Sequence, residues 1–139
     1  MREDIKALIL KRKHCVLATA SENKPYCSLM AYTASEDCTR IFMATYRSTR
    51  KFKNLKENPR VSLLIDSRDV ADAQALTVEG VFEEIETETE KSKVRKLLLD
   101  AHPQLNDFVN HPDAAFICIN AKALVFLKGL TEAYHETVP

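Results

Sequence analysis

The stretch TRIFMATYRSTRKFKNLKENPRVSLLID, residues 39–66, encodes three elements of secondary structure in close succession. One apolar run predicts a strand over 39–46, and a second apolar run predicts a strand over 60–66. Between them, Phe52 and Leu55 have the spacing of the inward stripe of a helix. A strand, a helix and a returning strand therefore form the centre of the predicted fold.

The predicted helix begins with cations, although a helix N-terminus already carries partial positive charge. Arg50 and Lys51 lie in its first turn, where each costs up to about 1 kcal/mol. A solvated basic surface is one explanation, and an anion bound by the N-terminal amides and both side chains is the other. The hydroxyls of Thr45, Ser48 and Thr49 suit phosphate oxygens, and Ser48 or Thr49 can cap the helix. We interpret the stretch as a phosphate clamp built largely from side chains.

The residues before this stretch predict one helix and two further strands. Apolar residues recur with helical spacing over 3–12. Apolar and β-branched runs predict strands over 14–20 and 26–34, and short polar turns follow each of them. With the strand over 39–46, these segments form a meander of three strands, which favours antiparallel pairing.

A long strand and a second helix are predicted after it. Residues 74–86 alternate in polarity, and Gly80 in the middle indicates a bulge or a sharp bend. Thr87 and Glu90 form a capping box that begins a helix. The helix ends at His102-Pro103, because the residue before proline is displaced from helical backbone angles.

The remaining residues complete the prediction of the fold. The segment 104–113 is predicted to be irregular, and 114–130 is either two strands or one strand bent near 120–122. Six or seven strands with two inserted helices predict a small mixed α+β barrel that is mainly antiparallel. The length of 139 residues indicates a single domain over 1–139.

Composition and charge exclude several classes of protein. The chain is 45% hydrophobic and 29% charged, as a soluble globular domain is, and it contains no apolar run of membrane-spanning length. Its N-terminus is a poor signal peptide, so we expect a cytoplasmic protein and no membrane partner. The net charge of zero argues against a nucleic-acid binder. Residues 1–60 nevertheless carry a charge of +7 and residues 61–139 carry −7, so the two halves can attract each other within a chain or across a dimer.

The scarcity of glycine and the scatter of ligating residues exclude other sites. Two glycines are too few for a dinucleotide fingerprint or a Walker loop. The four histidines have no ligand spacing, so no metal site is expected. Asp66, Asp69 and Asp72 resemble a calcium loop only loosely, and we interpret them as a solvated loop. The cysteine spacings match no motif and predict free thiols, with Cys15, Cys27 and Cys118 buried in apolar strands. Phe52 is predicted to be core.

The run KPYCSLMAYTASEDCTRIFMATYRSTRKFKNLKENPRVSLLI, residues 24–65, resembles the flavin-binding split barrel of the pyridoxamine 5′-phosphate oxidase superfamily. The resemblance is carried by a strand that ends in Thr, then four intervening residues, then Arg-Lys, then Asn-Leu and Asn-Pro-Arg-Val. It implies a six- to seven-stranded split β-barrel with flanking helices and FMN at a homodimer interface.

The resemblance also implies which residues contact the cofactor. The second strand is expected to lie along the flavin and its ribityl chain, the end of the third strand to contact the cofactor, and the basic pair to bind its phosphate. In that order these residues are Ser28, Leu29, Met30, Ala31, Tyr32 and Thr33; Ala44 and Thr45; and Arg50 and Lys51. The family's glutamine before the fifth strand is matched by Gln74, or by Ala75 one step along.

Departures from the family pattern affect the expected activity. The vitamin B6 oxidase has Arg and Lys at the positions of Ser28 and Thr33, and it has a tryptophan that this chain lacks. We therefore expect an FMN-dependent oxidoreductase with a substrate other than pyridoxine phosphate. The alternative is a non-enzymatic protein that binds flavin or haem for storage or sensing.

Overall fold

The computed structural model describes residues 1–68, 72–129 and 132–139. Within them the chain forms eight strands, four helices and one short 3₁₀ turn. The strands are β1 His14–Ser21, β2 Lys24–Ala31, β3 Thr33–Ala34, β4 Arg40–Tyr46, β5 Arg60–Ser67, β6 Gln74–Ile85, β7 Ala114–Lys128 and β8 Glu132–Thr137. The helices are α1 Glu3–Lys11, α2 Arg50–Glu57, α3 Glu88–Ala101 and α4 Asn106–Val109, with the 3₁₀ turn at Pro103–Leu105.

The strands form one antiparallel sheet in the order β2-β1-β5-β6-β7-β4-β3, and β8 also pairs with β7. The run 24–34 contributes β2 at one end of this order and β3 at the other, and only Tyr32 separates the two strands. The sheet must therefore curl until its two ends meet. The predicted α+β split barrel with flanking helices is confirmed, with eight strands in the described residues where six or seven were predicted.

The differences from the predicted elements lie where local sequence carries little signal. The run 26–34 was predicted as one strand, but the structure breaks it at Tyr32. The segment 104–113 is not irregular throughout, since the 3₁₀ turn and α4 lie within it. Strand β8 was not predicted, because its side chains are largely exposed at the edge of the sheet and show no apolar pattern.

The long final strand is bent at the predicted place. Glu79 of β6 pairs with Ala123 and Gly80 pairs with Ala121, so Lys122 is an extra residue on β7. This β-bulge confirms both the bend near 120–122 and the special role of Gly80. Of the single long strand and the two strands left open by the sequence, the structure has the single strand, Ala114–Lys128.

The opposite charges of the two halves meet within one chain. Arg40 donates to Glu90 at 2.7 Å, and Glu84 accepts from Arg47 at 2.7 Å and from Lys56 at 2.8 Å. Each pair joins a cation of the first half to a carboxylate of the second. None of the helices within the described residues has the length and apolar composition that crossing a membrane requires.

Gly80 is required because the bulge brings the backbones of β6 and β7 too close together for a side chain at this position. A Cβ atom there would lie 2.5 Å from Ile119 Cγ2 and 2.9 Å from the backbone oxygen of Asn120. We expect Gly80→Ala to lower the free energy of unfolding by about 3 kcal/mol, the upper part of the range for overpacked sites.

Gly129 provides the matched control for this substitution. It has a φ of +68°, and a Cβ atom added there would have no neighbouring atom within 4 Å, so Gly129→Ala should cost about 1 kcal/mol of backbone strain alone. Urea unfolding of both variants gives the comparison. If Gly80→Ala lowers the free energy of unfolding no more than Gly129→Ala does, the explanation by close approach of the strands is wrong.

Candidate functional site

A cavity of about 250 Å³ lies where the end of β4 meets the start of α2. We call it the β4–α2 cavity. Strand β2 forms one wall, and the segment after α3 forms another. Its lining residues are Leu29, Met30, Ala31, Ala44, Thr45, Tyr46, Thr49, Lys51, Leu105 and Phe108. Six of them belong to the set of cofactor contacts that the resemblance implies.

The hydroxyl of Thr49 caps α2 and connects it to β4. Its Oγ1 accepts from the backbone N–H of Phe52 at 3.4 Å and donates to the backbone oxygen of Tyr46 at 2.8 Å. Thr45 Oγ1 lies 3.2 Å from Thr49 Oγ1. Thr45 is the donor of this bond, because the hydroxyl proton of Thr49 is already donated to Tyr46. Ser48, the other predicted cap, binds Asp113 Oδ2 at 2.8 Å instead.

The first turn of α2 is arranged to receive an anion. It contains no acidic residue, and among the described residues nothing accepts a hydrogen bond from the backbone N–H of Arg50 or Lys51. Lys51 lines the cavity together with Thr45 and Thr49. Two free amides and the positive end of the helix dipole thus lie in the same turn as Lys51, a combination that is found in phosphate sites.

The two cations of the predicted clamp point to different places. Lys51 lines the β4–α2 cavity, whereas the Arg50 guanidinium lies 5.7 Å from the centre of the Tyr26 ring. Arg50 lines a neighbouring groove that also contains Asn54 and Glu57. Binding of one phosphate by both side chains therefore stays a prediction. Of the two residues, Lys51 is the one that lines the cavity.

The other predicted contacts do not all gather at the cavity. Tyr32 is buried and donates its hydroxyl to the Ile9 oxygen at 2.6 Å. Thr33 pairs with Phe42 across β3 and β4, and Gln74 is the first residue of β6. None of these three lines the cavity. Ser28 also lies outside it, but its buried Oγ has no hydrogen-bond partner among the described residues.

An aromatic and apolar wall completes the cavity and was missed by the sequence analysis. The ring of Phe108, on α4, stacks on Tyr46 with the centroids 4.5 Å apart, and the ring of His111 lies 4.7 Å from Tyr46. Leu105 lines the cavity beside them. The only signal in the sequence was the three-residue spacing of Leu105 and Phe108. Phe52, by contrast, is buried as predicted.

A buried carboxylate fixes both ends of α2. Burial acts to raise the pKa of Glu84, but hydrogen bonds from Arg47 and Lys56 outweigh it and hold the pKa below its ordinary value. Arg47 lies in the turn before α2, and Lys56 lies in the last turn of the helix. Glu84 thus positions the helix whose first turn lines the cavity.

The cysteines are thiols without a catalytic environment. All four are free; Cys15, Cys38 and Cys118 are buried, and Cys27 is exposed on the outer face of β2, so its predicted burial was wrong. Burial raises the pKa of Cys15 to about 12, which keeps this thiol protonated at neutral pH. No group of three His, Cys, Asp or Glu side chains within the described residues could hold a metal ion. Asp69, of the predicted solvated loop, lies outside them.

Comparison with known proteins places the chain in a family. A family model described as pyridoxamine 5′-phosphate oxidase matches residues 1–128. The chain belongs to the pyridoxamine 5′-phosphate oxidase family. A pyridoxamine 5′-phosphate oxidase homologue of Schizosaccharomyces pombe is 35% identical over 71 residues, which cover 44% of this chain and 36% of that protein. The match thus spans about a third of the length of the curated relative.

Solved structures share the fold at low identity. A haem-binding protein from Mycobacterium smegmatis superposes with a TM-score of 0.82 at 21% identity, over 95% of this chain and 56% of the other. An FAD-binding protein from Mesorhizobium loti superposes with a TM-score of 0.78 at 16% identity, over 94% of this chain and 96% of the other. The same barrel is therefore found in proteins with different prosthetic groups.

The Glu84 ion pairs give a stability prediction with a defined dependence on pH. The folded-state pKa of Glu84 lies below the ordinary value of 4.5. The stabilisation that its ion pairs contribute is therefore complete above pH 4.5 and is lost as the pH falls through the folded-state pKa. We expect Glu84→Gln to reduce the free energy of unfolding by about 1–2 kcal/mol at pH 7, and the difference to shrink at pH 3.

Glu86→Gln is the matched control, since Glu86 is exposed two residues along and makes no ion pair among the described residues. Denaturant unfolding at both pH values measures the effect. Equal losses for the two variants, or a difference that does not change with pH, would contradict the assigned role of Glu84.

Proposed function

We propose that this protein is an FMN-binding flavoprotein that acts as an oxidoreductase. The observation that supports this most is the first turn of α2: its first two backbone amides have no acceptor among the described residues, and its Lys51 lines a cavity together with Thr45, Thr49 and apolar residues. A ligand suited to this arrangement carries a phosphate at one end and a flat apolar body at the other. FMN has that chemistry, and membership of the family favours it.

Each part of the cavity has a distinct role in the proposed complex. The first turn of α2 holds the phosphate, and Ala44 and Thr45 contact the cofactor where β4 ends. Leu29, Met30 and Ala31 of β2 lie along the body of the cofactor. Ser28, on the same strand, offers a hydroxyl that has no hydrogen-bond partner among the described residues. Bound FMN supplies hydride and single-electron transfer chemistry. The protein contributes binding, orientation and exclusion of water, and we assign no acid or base among its side chains.

We further propose that a homodimer encloses the cofactor. Val16 pairs with Leu29 on one side and with Leu64 on the other, so the three form an apolar row across the outer face of the sheet. Leu29 is 72% exposed and Leu64 is 38% exposed. An apolar row of this kind is typical of an obligate interface, and Leu29 also lines the β4–α2 cavity. A second copy on this face would close the cavity.

A non-enzymatic haem or flavin carrier is the second candidate. It is favoured by the likeness to the M. smegmatis haem-binding protein over nearly the whole of this chain. The absorption spectrum of the purified protein distinguishes the two cofactors, because flavin absorbs in the blue and haem gives a Soret band. Turnover of a reduced donor by the flavin-loaded protein separates an enzyme from a carrier.

The clamp is tested by comparing FMN with riboflavin, which lacks the phosphate. Replacing Arg50 and Lys51 by Ala should cost roughly 3–6 kcal/mol of FMN binding, about a hundredfold or more, since each charge-assisted contact contributes about 1.5–3 kcal/mol. Because Lys51 lines the cavity, Lys51→Ala alone should account for the larger part. Riboflavin affinity should change far less. Fluorescence titration measures both ligands, and equal losses for FMN and riboflavin would show that the pair does not bind the phosphate.

The dimer is tested at Leu64, one of the two exposed leucines of the apolar row. Leu64→Glu should produce a monomer, because it places a charge where the second copy packs. Leu97→Glu is the control, since Leu97 is 40% exposed on α3, outside the row. Light scattering coupled to gel filtration at micromolar concentration gives the mass, and circular dichroism verifies folding. A wild-type monomer, or a Leu64→Glu variant as dimeric as the Leu97→Glu variant, would refute the proposal.

A further inference from the structure

A groove of about 330 Å³ runs beside α2, between that helix and the turn that joins β1 to β2. We call it the Tyr26 groove. Lys24 and Tyr26 line it from β2, and Arg50, Lys53 and Asn54 line it from α2. Its volume is within the range of small-molecule sites, roughly 300–1,000 Å³.

The groove lies on the opposite side of the sheet from the apolar row that the proposed dimer covers. Tyr26 pairs with Thr19, and directly paired residues of an antiparallel ladder point to the same face. Thr19 is buried and accepts a hydrogen bond from Asn54, so this face is the one that packs against α2. Leu29 and Val16 lie three positions away along their strands and therefore point to the other face. A second copy seated on the apolar row does not occupy the groove.

The cations of the groove have no partners within the chain as described. No carboxylate of the described residues lies within ion-pairing distance of Lys24, Arg50 or Lys53. Glu22 and Glu57 also line the groove, so three cations and two carboxylates give the lining a charge of +1. The groove therefore favours an anionic ligand.

An aromatic ring and a buried amide distinguish the groove from a patch of surface lysines. Tyr26 is 39% exposed, and the Arg50 guanidinium lies 5.7 Å from the centre of its ring. Asn54 is only 8% exposed; its amide nitrogen donates to Thr19, and its side-chain oxygen has no hydrogen-bond partner among the described residues. A nucleobase stacks on such a ring, and its amino group donates to such an oxygen.

The groove and the β4–α2 cavity adjoin at the first turn of α2. Arg50 lines the groove and Lys51 lines the cavity, because consecutive residues of a helix point roughly 100° apart. The backbone amides of both residues have no acceptor among the described residues. A ligand whose two linked phosphates lie across this helix end would contact one cation on each side of it.

We propose that the Tyr26 groove binds the adenylate half of flavin adenine dinucleotide, with the second phosphate beside Arg50 and the adenine ring on Tyr26. This ligand contains the whole of FMN, so the contacts assigned to the β4–α2 cavity are unchanged. The flavin half rests on the proposed function, whereas the affinity of the groove for an adenine nucleotide does not. Side chains and free amides make the phosphate contacts, so no glycine-rich loop is needed.

Isothermal titration of the full-length, flavin-free protein with flavin adenine dinucleotide and with FMN measures the contribution of the groove. We expect the wild type to bind the dinucleotide at least about tenfold more tightly. Lys53→Ala and Tyr26→Leu should each reduce this advantage by roughly threefold or more, because both residues lie beyond the first phosphate. Arg50→Ala should weaken the dinucleotide more than FMN.

Lys93→Ala is the matched control for Lys53→Ala, since Lys93 is exposed on α3 and makes no ion pair among the described residues. Lys51→Ala should weaken both flavins by the same factor, because both carry the first phosphate. Equal affinities of the wild type for the dinucleotide and FMN would overturn the proposal. A loss of dinucleotide affinity in Lys53→Ala no larger than in Lys93→Ala would overturn it as well.

Adenosine 5′-diphosphate, which carries no flavin, keeps the two proposals distinguishable. We expect it to bind the flavin-free protein, and Tyr26→Leu and Lys53→Ala to weaken it where Lys93→Ala does not. Binding of this nucleotide without binding of either flavin would refute the proposed function and the flavin half of the ligand, and leave an adenine-nucleotide site. Binding of FMN without binding of the nucleotide would refute the groove and leave the proposed function.

Discussion

The closure of the split barrel depends on how Tyr32 is held. Its backbone N–H donates to the Lys13 oxygen, its carbonyl accepts from His102 Nε2 at 2.8 Å, and its hydroxyl donates to the Ile9 oxygen. These three bonds join the end of α1, the end of α3 and the break between β2 and β3. Burial raises the pKa of the Tyr32 phenol, so the hydroxyl remains a donor throughout the physiological range.

The same residue explains where the β4–α2 cavity lies. Because the chain passes from one end of the strand order to the other at Tyr32, β2 has one neighbour, β1, and its far side faces β4 without pairing to it. That gap is where the β4–α2 cavity lies. A split in the barrel thus creates the candidate site.

Local chemistry in the sequence was sufficient for most of the strands, the main helices and the first turn of α2. Lys51, Thr45 and Thr49 are close along the chain, so a cap and a charge argument could bring them together. Phe108 and Leu105 reach the same cavity only through the packing of α4, which no local pattern specifies. The divergence of Arg50 from Lys51 likewise depends on the position of Tyr26 on another strand.

The exposure of Cys27 shows another limit of prediction from sequence. Side chains of a strand alternate between two faces, and the sequence does not always indicate which face is buried. Strand β2 carries apolar residues on both faces, so its alternation does not indicate which face is inside. Its pairing with β1 decides this: Met30 faces the buried side with Cys15, whereas Cys27 and Leu29 face outward. The sequence therefore predicts that the strand exists but leaves its outward residues undetermined.

The composition of α2 indicates that tertiary contacts, rather than helix propensity, maintain its cationic first turn. The helix has eight residues, too few to be stable alone. Phe52 and Leu55 are buried beneath it, and the buried Asn54 donates to Thr19 Oγ1 at 3.1 Å. These contacts, with Thr49 at one end and the Lys56–Glu84 pair at the other, offset the unfavourable charges of Arg50 and Lys51. An anion that binds there removes a repulsion already present in the folded chain, so part of its affinity comes from relief of that repulsion, and the site is formed before the ligand arrives.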